Sequence, residues 1–393
     1  MCPYNLEKII HKSIEYCESS NYASFDVYDA LNSPLINHLL KKKQLLRRVA
    51  IQVICRIPFN IRPILGIKKM VHTKALSDLL SIYTTLYKKT DNQSWKIKAK
   101  TIFDILMARK IVAGAGYGWG LNFPYSTRFV DANSDTPNLY NTLNAAQAIL
   151  DYFEIESTID VHQILENILL FMFEYLGTVK ETHEITWIRY YPEQKGMPAL
   201  NVNAISAALF VRINNLFGED KIDSGLIAGI LTFLKHYQNP DGSWYYTTTD
   251  QGKWIDGFHT GFILESIAYI WSRNKNPEVR KMLERGVRFY KDQMFTKNHI
   301  PKYYNTRVYP IESQNCAQAI QTIARLKLIA GFPLNSMLKE VIDGVIRNLW
   351  DNKGYFYYKR GPFIINKQYY IRWSQTPMIL ALLYANESLN SEL

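Results

Sequence analysis

Hydrophobic and polar positions along the chain follow a helical period, and loops rich in glycine and aromatic residues separate the helical stretches. Apolar residues three and four positions apart predict amphipathic helices, the clearest of which span residues 73–87, 95–109, 161–175, 224–236, 277–290 and 334–350. Regularly spaced alternating strands are lacking, which argues against all-β and doubly wound α/β folds. The pattern therefore predicts an all-α chain.

The helical stretches recur at a spacing of roughly 55 to 63 residues, which corresponds to one helical hairpin and one long loop. The inner helix of each hairpin begins near a hydrogen-bonding side chain, at Asn141, Asn203, His259, Asn315 and Gln375. Small residues follow these positions, as is typical of helices that pack closely. We predict an (α/α)6 toroid with long aromatic loops and short β-hairpin segments at one end, while an open helical solenoid is the alternative.

The predicted toroid domain covers residues 73–393, and residues 1–72 form an N-terminal helical segment with a basic region. The helix at 6–17 would pair with the last inner helix, at 376–384, and so close the ring within one structural domain. This arrangement accounts for nearly the whole chain with six hairpins.

The net charge of +11 suggests an anionic partner, and many of the basic residues lie between Lys41 and Lys69. A solvated basic face is the simpler interpretation. The apolar residues between these charges would also suit a helix lying on an anionic membrane surface. No nucleic-acid-binding motif accompanies the charge, so nucleic acid is not a predicted partner.

The N-terminal residues mix charged and apolar side chains and do not resemble a signal peptide, and no apolar run is long enough to span a membrane. The four cysteines, Cys2, Cys17, Cys55 and Cys316, match no metal-ligand spacing and suggest reduced cytoplasmic thiols. Scattered histidines and the lack of a phosphate-binding loop predict neither a metal nor a cofactor. We expect a cytoplasmic protein, with peripheral contact at the inner membrane face left open.

The loops before the inner helices are unusually aromatic, which favours a sugar-binding cleft. Flat rings suit the apolar faces of pyranoses, and amide or acidic side chains can pair with hydroxyl groups. Packing of loops onto helices is the alternative for many of these rings. The candidate substrate-binding residues in these loops and helix starts are Trp119, Tyr125, Arg128, Asn141, Asn203, Trp244, Trp254, Tyr303, Asn315, Gln318, Arg372 and Trp373.

Asp26, Asp29 and Asn32 form a further polar cluster near the N-terminus, and it either reaches the cleft or braces it. Arg128 and Arg372 are candidates for a bidentate clamp on a carboxylate, although a surface ion pair explains them equally well.

The densest group of reactive side chains is Trp254-Ile-Asp256-Gly-Phe-His259. Asp256 is placed to cap a helix and His259 lies about one turn further on, so that an imidazole beside a carboxylate could act as a general base. Helix capping and packing are the structural alternatives. Tyr309 and Glu312 precede the next inner helix and are candidates for a second acid or base, while Glu312 is also a plausible helix cap.

Several motifs resemble those of a bacterial and archaeal family from polysaccharide-assembly and glycosylation gene clusters. The matching segments extend over most of the chain and include Phe25–Pro34, Gly118-Trp-Gly120, Pro240-Asp-Gly-Ser-Trp244, Trp254–Gly261, Tyr309-Pro-Ile311 and Arg372-Trp373. The resemblance implies a six-hairpin toroid and a role in polysaccharide biosynthesis. A more distant similarity is to the helical domain of glucuronyl C5-epimerases and to hydrolases and lyases built on six hairpins.

These features leave several functions open. The first is an acid–base epimerase or isomerase of a polymeric or lipid-linked, uronic-acid-containing glycan. The second is a glycoside hydrolase or polysaccharide lyase, and the third is a non-catalytic glycan-binding assembly protein. A terpenoid cyclase or prenyltransferase-like enzyme is least favoured, because Gln238–Trp244 resembles a triterpene-cyclase repeat but the D-x-D-D acid motif is lacking.

Overall fold

A computed structural model describes residues 4–41, 43–192, 198–218 and 221–391, and this part of the chain forms two compact units. The N-terminal unit comprises Lys8–Tyr175 and Leu349–Leu380. The central unit consists mainly of Leu176–Asn348, joined by the chain that follows Leu380. Cys2 and Lys42 lie outside the described residues.

The described residues contain fourteen α-helices. They are α1 (Leu6–Glu18), α2 (Pro34–Leu39), α3 (Gln44–Arg56), α4 (Thr73–Thr90), α5 (Gln93–Ala108), α6 (Leu139–Phe153), α7 (Val161–Leu170), α8 (Leu200–Phe217), α9 (Ser224–His236), α10 (Gly257–Asn274), α11 (Pro277–Gln293), α12 (Ser313–Ala330), α13 (Asn335–Leu349) and α14 (Thr376–Asn390). Short π-helical turns follow α7, at Phe171–Leu176, and precede α14, at Ile371–Gln375. No described helix is long and apolar enough to cross a membrane.

Short strands lie in the loops between the helices. They are β1 (Ile111–Ala113), β2 (Gly116–Gly118), β3 (Tyr125–Ser126), β4 (Asp131–Ala132), β5 (Thr178–Lys180), β6 (Thr186–Ile188), β7 (Ile311–Glu312), β8 (Trp350–Asp351), β9 (Tyr355–Phe356), β10 (Lys359–Arg360) and β11 (Ile365–Asn366). Five antiparallel hairpins result, from β1 with β2, β3 with β4, β5 with β6, β8 with β9, and β10 with β11.

In the N-terminal unit, α4 packs against both α5 and α6. The first twelve residues of α4 are all buried, so its polar side chains need internal partners. Lys74 and Asp78 form a buried ion pair with each other, in which Lys74 Nζ lies 2.7 Å from Asp78 Oδ2. Helix α5 is amphipathic and buries Trp95, Ala99, Ile102 and Leu106, which are spaced three or four residues apart.

In the central unit, α10 lies between α8 and α12, while α9 packs on α8 and α11 packs on α10. Close approach of α10 and α12 depends on Gly261, because a Cβ atom there would lie 2.6 Å from Thr322 Oγ1. Asp256 caps α10 and Glu312 caps α12, each by accepting the backbone N–H of the residue three positions on. The capped N-termini of these inner helices hold the candidate catalytic residues.

Candidate active site

Asp256 and His259 form a carboxylate–imidazole pair at the start of α10. Asp256 Oδ2 lies 2.6 Å from His259 Nδ1, and Oδ1 accepts the backbone N–H of His259 at 2.7 Å. The indole N–H of Trp254 also donates to Oδ2, at 2.9 Å. Because a carboxylate only accepts, Nδ1 carries a proton, and in the neutral ring the lone pair is on Nε2. No described residue forms a hydrogen bond with Nε2, and the side chain of His259 is 22% exposed.

Aromatic rings surround this pair. Tyr246 packs against His259 with ring centroids 4.4 Å apart, and it also stacks on Trp254 at 4.8 Å with planes 20° apart. Phe258 contacts the imidazole edge to face, at 5.2 Å. The imidazole is therefore held on one side by a carboxylate and packed by rings on others, which fixes its orientation.

Buried amides lie in the first turns of the two helices that flank α10. Asn201 of α8 and Gln314 and Asn315 of α12 are at most 3% exposed, and each has a side-chain oxygen without a partner among the described residues. Asn315 packs against Gly257, since a Cβ atom there would lie 2.7 Å from its Oδ1. All three oxygens are shielded from solvent, so they are buried acceptors within the helix layer and not an open sugar-binding surface.

The other two candidate catalytic residues precede α12. Glu312 is buried and its Oε2 accepts the Asn315 N–H at 2.9 Å, so the capping alternative holds for it. Tyr309 precedes a cis peptide bond to Pro310, and its side chain is 42% exposed. Asp256 is likewise a helix cap, and its second oxygen is used by His259 and Trp254.

Two of the five helix-start residues, Asn203 and Gln375, hold a hairpin by hydrogen bonds to its backbone. Asn203 accepts the N–H of Ile188 at 2.7 Å and donates to the carbonyl oxygen of the same residue at 3.3 Å. Gln375 does the same with Phe356, at 2.9 and 2.8 Å. We call these two residues the amide clamps. Both are fully buried. The predicted role of Asn203 in sugar binding is therefore corrected to attachment of β6, and Gln375 attaches β9.

Asn141 is also buried, and its side-chain N–H donates to Asn138, the cap of α6, at 3.1 Å. Trp119 and Trp244 are completely or almost completely buried, and their indole N–H groups donate to the carbonyl oxygens of Leu106 and Leu234. Because no face of either ring is open to solvent, the predicted stacking role is corrected to core packing.

Gln318 donates to the buried Glu265 at 2.5 Å and so joins α12 to α10.

The N-terminal unit gathers the predicted acidic cluster around two arginines. Arg372 makes two bonds to Asp26, at 2.6 and 2.7 Å, and Arg62 bonds Asp29 at 2.6 Å. Burial raises the pKa of Asp26, but Arg372 outweighs it and lowers the pKa to about 2. Both pairs are buried. Arg372 is thus buried and paired bidentately with Asp26, which corrects its predicted role as a substrate clamp.

The remaining candidates are half-buried or exposed. In the N-terminal unit, Tyr28 contacts Tyr125 at 5.6 Å and Trp373 at 5.2 Å, so these rings form one cluster. Asn32 donates to the sulfur of Met70, and Arg128 is exposed beside Phe129. In the central unit, Tyr303 packs on Tyr304 with centroids 4.8 Å apart.

Sequence reasoning did not select Tyr246, Asn201 or Gln314 as site residues. Tyr246 follows Trp244 in an extended segment that is rich in aromatic residues, so the sequence did not distinguish it from its aromatic neighbours. Asn201 lies two residues before Asn203, and Gln314 lies one residue before Asn315. The repeat alignment selected Asn203 and Asn315 and passed over these two neighbours. Within the described residues, no group of three or more His, Cys, Asp or Glu side chains is placed to hold a metal ion.

Comparison with known proteins identifies the fold. No protein-family model matches the sequence, and no curated protein matches it significantly. Cellobiose 2-epimerase from Bacillus thermoamylovorans B4167 is similar in structure, with a TM-score of 0.62 and 12% identity over 80% of this chain and 88% of that one. A D-mannose isomerase aligns with a TM-score of 0.60 and 11% identity over 81% of this chain and 87% of its own.

A family 76 glycoside hydrolase from a bovine Bacteroides thetaiotaomicron strain also aligns, with a TM-score of 0.60 and 12% identity over 82% of this chain and 70% of that one. At such low identity these similarities establish the fold alone. The predicted all-α (α/α)6 toroid with long loops and short β-hairpins is confirmed. Membership of the polysaccharide-assembly family stays a prediction.

Proposed function

We propose that the chain is a carbohydrate-active enzyme, specifically a sugar epimerase or isomerase in which His259 is the base. The observation that carries this proposal is the 2.6 Å contact between Asp256 and His259 Nδ1, with Nε2 left without a partner among the described residues. A carboxylate that holds Nδ1–H fixes the tautomer and stabilises the imidazolium that forms when Nε2 takes up a proton.

The proposed step is removal of a proton from a carbon next to a carbonyl group. Nε2 of His259 takes the proton, and the electron pair of the C–H bond passes into an enediolate. Return of the proton to the same carbon from the opposite face gives the epimer. Return to the neighbouring carbon gives the isomer with a shifted carbonyl group, provided that the proton of the enediolate hydroxyl also passes to the former carbonyl oxygen.

Epimerisation needs a donor on the opposite face, and Tyr309 and Glu312 are our candidates. A single base can move a proton between neighbouring carbons on one face, so isomerisation needs no donor on the opposite face. Substitution of Tyr309 by Phe and of Glu312 by Gln therefore distinguishes the two reactions.

The structural similarities support this choice, because two of the similar structures are named as a cellobiose 2-epimerase and a D-mannose isomerase. The sequence resemblance supports a place in polysaccharide or glycolipid biosynthesis. The rings beside the pair suit the apolar face of a sugar, whereas Arg372 is buried and bound to Asp26 and so does not support an anionic substrate. We therefore expect neutral sugars to react in preference to uronates.

Solvent exchange tests the proposed reaction. We would incubate the protein with D-mannose, cellobiose or an oligomeric uronate in deuterated water and follow ring-carbon deuterium by NMR. We expect incorporation with the unmodified chain, and a loss of about 100- to 10,000-fold in His259→Ala, the range for a general base. Asp256→Asn should lose a large part of the rate, because an amide does not stabilise the imidazolium.

His299 offers a matched control, since its Nδ1 lies 2.6 Å from Glu340 Oε2 in the central unit but away from the inner-helix starts. His299→Asn should keep the full exchange rate. Absence of deuterium from every substrate, with the protein folded, would refute the epimerase or isomerase assignment. Equal exchange in His259→Ala would remove His259 from it.

A glycoside hydrolase is the second candidate. It is favoured by two buried carboxylates, Asp256 and Glu312, at the starts of the adjacent helices α10 and α12, and by similarity to a family 76 glycoside hydrolase. Hydrolysis uses a pair of carboxyl groups and shortens the substrate chain. Shorter oligosaccharides in the same incubations, without deuterium at a ring carbon, would support hydrolysis.

A further inference from the structure

Exposed apolar side chains are concentrated on one part of the N-terminal unit. On α3, Leu45, Val49 and Val53 follow one another at intervals of four residues and are at least half exposed. The opposite face of α3 is buried and includes Ile51 and Ile54. A helix that shows aliphatic residues to solvent as well as to the core has a second surface to cover.

The exposed surface continues beyond α3. Phe59 and Ile64 follow the helix and are 65% and 86% exposed. The β10–β11 hairpin carries Phe363 at its tip, 95% exposed, and Ile364 beside it. Asn366 and Gln368 fasten this hairpin to the end of α3, because both side chains donate to the carbonyl oxygen of Ile57.

The same segments are basic and contain no acid. No Asp or Glu occurs between Asp29 and Asp78, or between Asp351 and Glu387. Lys41, Lys43 and Arg56 are exposed and Arg48 is half-buried, and none of the four forms an ion pair with a described residue. We call this surface the basic apolar face: Leu45, Val49, Val53, Phe59, Ile64, Phe363 and Ile364 with Lys41, Lys43, Arg48 and Arg56.

We infer that the basic apolar face binds the surface of an anionic lipid bilayer. Aliphatic and phenyl side chains enter the boundary between headgroups and acyl chains, while lysine and arginine bind the anionic headgroups. Lys and Arg stems can lie along the apolar region with their charges at the headgroups.

Other partners fit this face less well. A symmetric dimer would place the same basic residues opposite each other without a carboxylate to pair with them. Nucleic acid matches the charge but offers no apolar surface for Val49, Val53, Ile64 or Phe363. A bilayer with anionic lipids satisfies both properties.

Vesicle co-sedimentation tests this inference. The full chain would be mixed with vesicles of phosphatidylcholine alone or of equal parts phosphatidylcholine and phosphatidylglycerol. We expect binding to the anionic vesicles and little to the neutral ones. Arg48→Gln with Arg56→Gln should weaken binding about fivefold for each residue. Val49→Ser with Val53→Ser should also weaken it, while sugar turnover stays unchanged.

Ile97→Ser is the matched control, because Ile97 is 67% exposed on α5, outside the basic apolar face. It should bind vesicles like the unmodified chain, and thermal unfolding would show that all variants fold. Failure to bind anionic vesicles would overturn the inference, as would equal binding by the control and the Val49/Val53 variant. A dimer in solution that the Val49/Val53 variant dissociates would instead assign the face to a second copy.

Discussion

Complete burial keeps the imidazole of His72 uncharged. The side chain is completely buried in the N-terminal unit, where its Nε2 lies 3.3 Å from the carbonyl oxygen of Ser24 and Phe123 packs edge to face at 5.6 Å. Burial lowers the pKa of His72 to about 4, with Arg372 acting in the same direction and Asp26 against it. The folded protein therefore holds neutral imidazole at neutral pH.

This gives a prediction for acid stability. The pKa of His72 is lower in the folded state than in the unfolded state. Its contribution to the free energy of unfolding is therefore complete above about pH 6.5 and is lost as pH falls towards 4. We expect the unmodified chain to lose about 2 to 3 kcal/mol more unfolding free energy over this range than His72→Gln does. Urea unfolding at several pH values measures the difference, and parallel curves for the two proteins would contradict it.

Individual site residues were harder to predict than their chemistry. The Asp256–His259 pair follows from a helix cap and a one-turn spacing, both of which are local and visible in the sequence. Arg372 and Trp119 are fixed by distant partners, Asp26 and the carbonyl oxygen of Leu106. No local pattern distinguishes an arginine bound to a remote aspartate from one that faces a ligand.

At the scale of elements, the amide clamps connect hairpins to inner helices. Each uses one side-chain amide to satisfy the N–H and the carbonyl oxygen of a single hairpin residue. Asn214 repeats the arrangement with Ile222 after α8, with both distances 2.9 Å. The side-chain amides thus hold the loops by bonding to backbone N–H and carbonyl groups, which would otherwise be buried without partners.

Removal of a clamp should destabilise the protein. Asn203→Ala leaves the N–H and carbonyl oxygen of Ile188 without their side-chain partner, and we expect a loss of about 2 kcal/mol in unfolding free energy. Urea denaturation would measure it. Asn215→Ala, an exposed amide on the same helix, should change stability little. Similar losses of unfolding free energy in the two variants would show that the hydrogen bonds of the clamp do not stabilise the protein.

Most helices were predictable because one face of each is apolar and the period is regular. The predicted helix at 224–236 coincides with α9, and that at 6–17 ends one residue before α1 does. The predicted helix at 161–175 is α7 followed by a π-helical turn, a change of hydrogen bonding that leaves the apolar pattern intact. Strands of two or three residues carry too little alternation to be placed from sequence.

At the scale of the molecule, the buried ion pair between Asp26 and Arg372 joins residues 346 positions apart. Lys12 and Asn352 make a second contact of this kind, as Lys12 Nζ donates to the Asn352 carbonyl oxygen. The early and late parts of the N-terminal unit are thus held together by specific polar contacts. The division of the chain at residue 72 and closure of the ring by the first helix stay predictions.

Breaking this pair should be costly. Arg372→Met leaves a buried carboxylate uncompensated, and we expect a loss of about 3 to 5 kcal/mol in unfolding free energy. Asp26→Asn combined with Arg372→Met removes both charges and should recover part of the loss. Denaturant unfolding of the three proteins provides the comparison, and a double variant less stable than Arg372→Met would contradict the account.

The amide clamps have a consequence for how this protein can evolve. Their hydrogen bonds to Ile188 and Phe356 use only main-chain atoms of those residues, so the bonds themselves do not depend on which side chains the hairpins carry. Mutations can therefore change the exposed residues of these loops while the attachment points persist. Inheritance of the scaffold is thereby uncoupled from divergence of the exposed loop sequences.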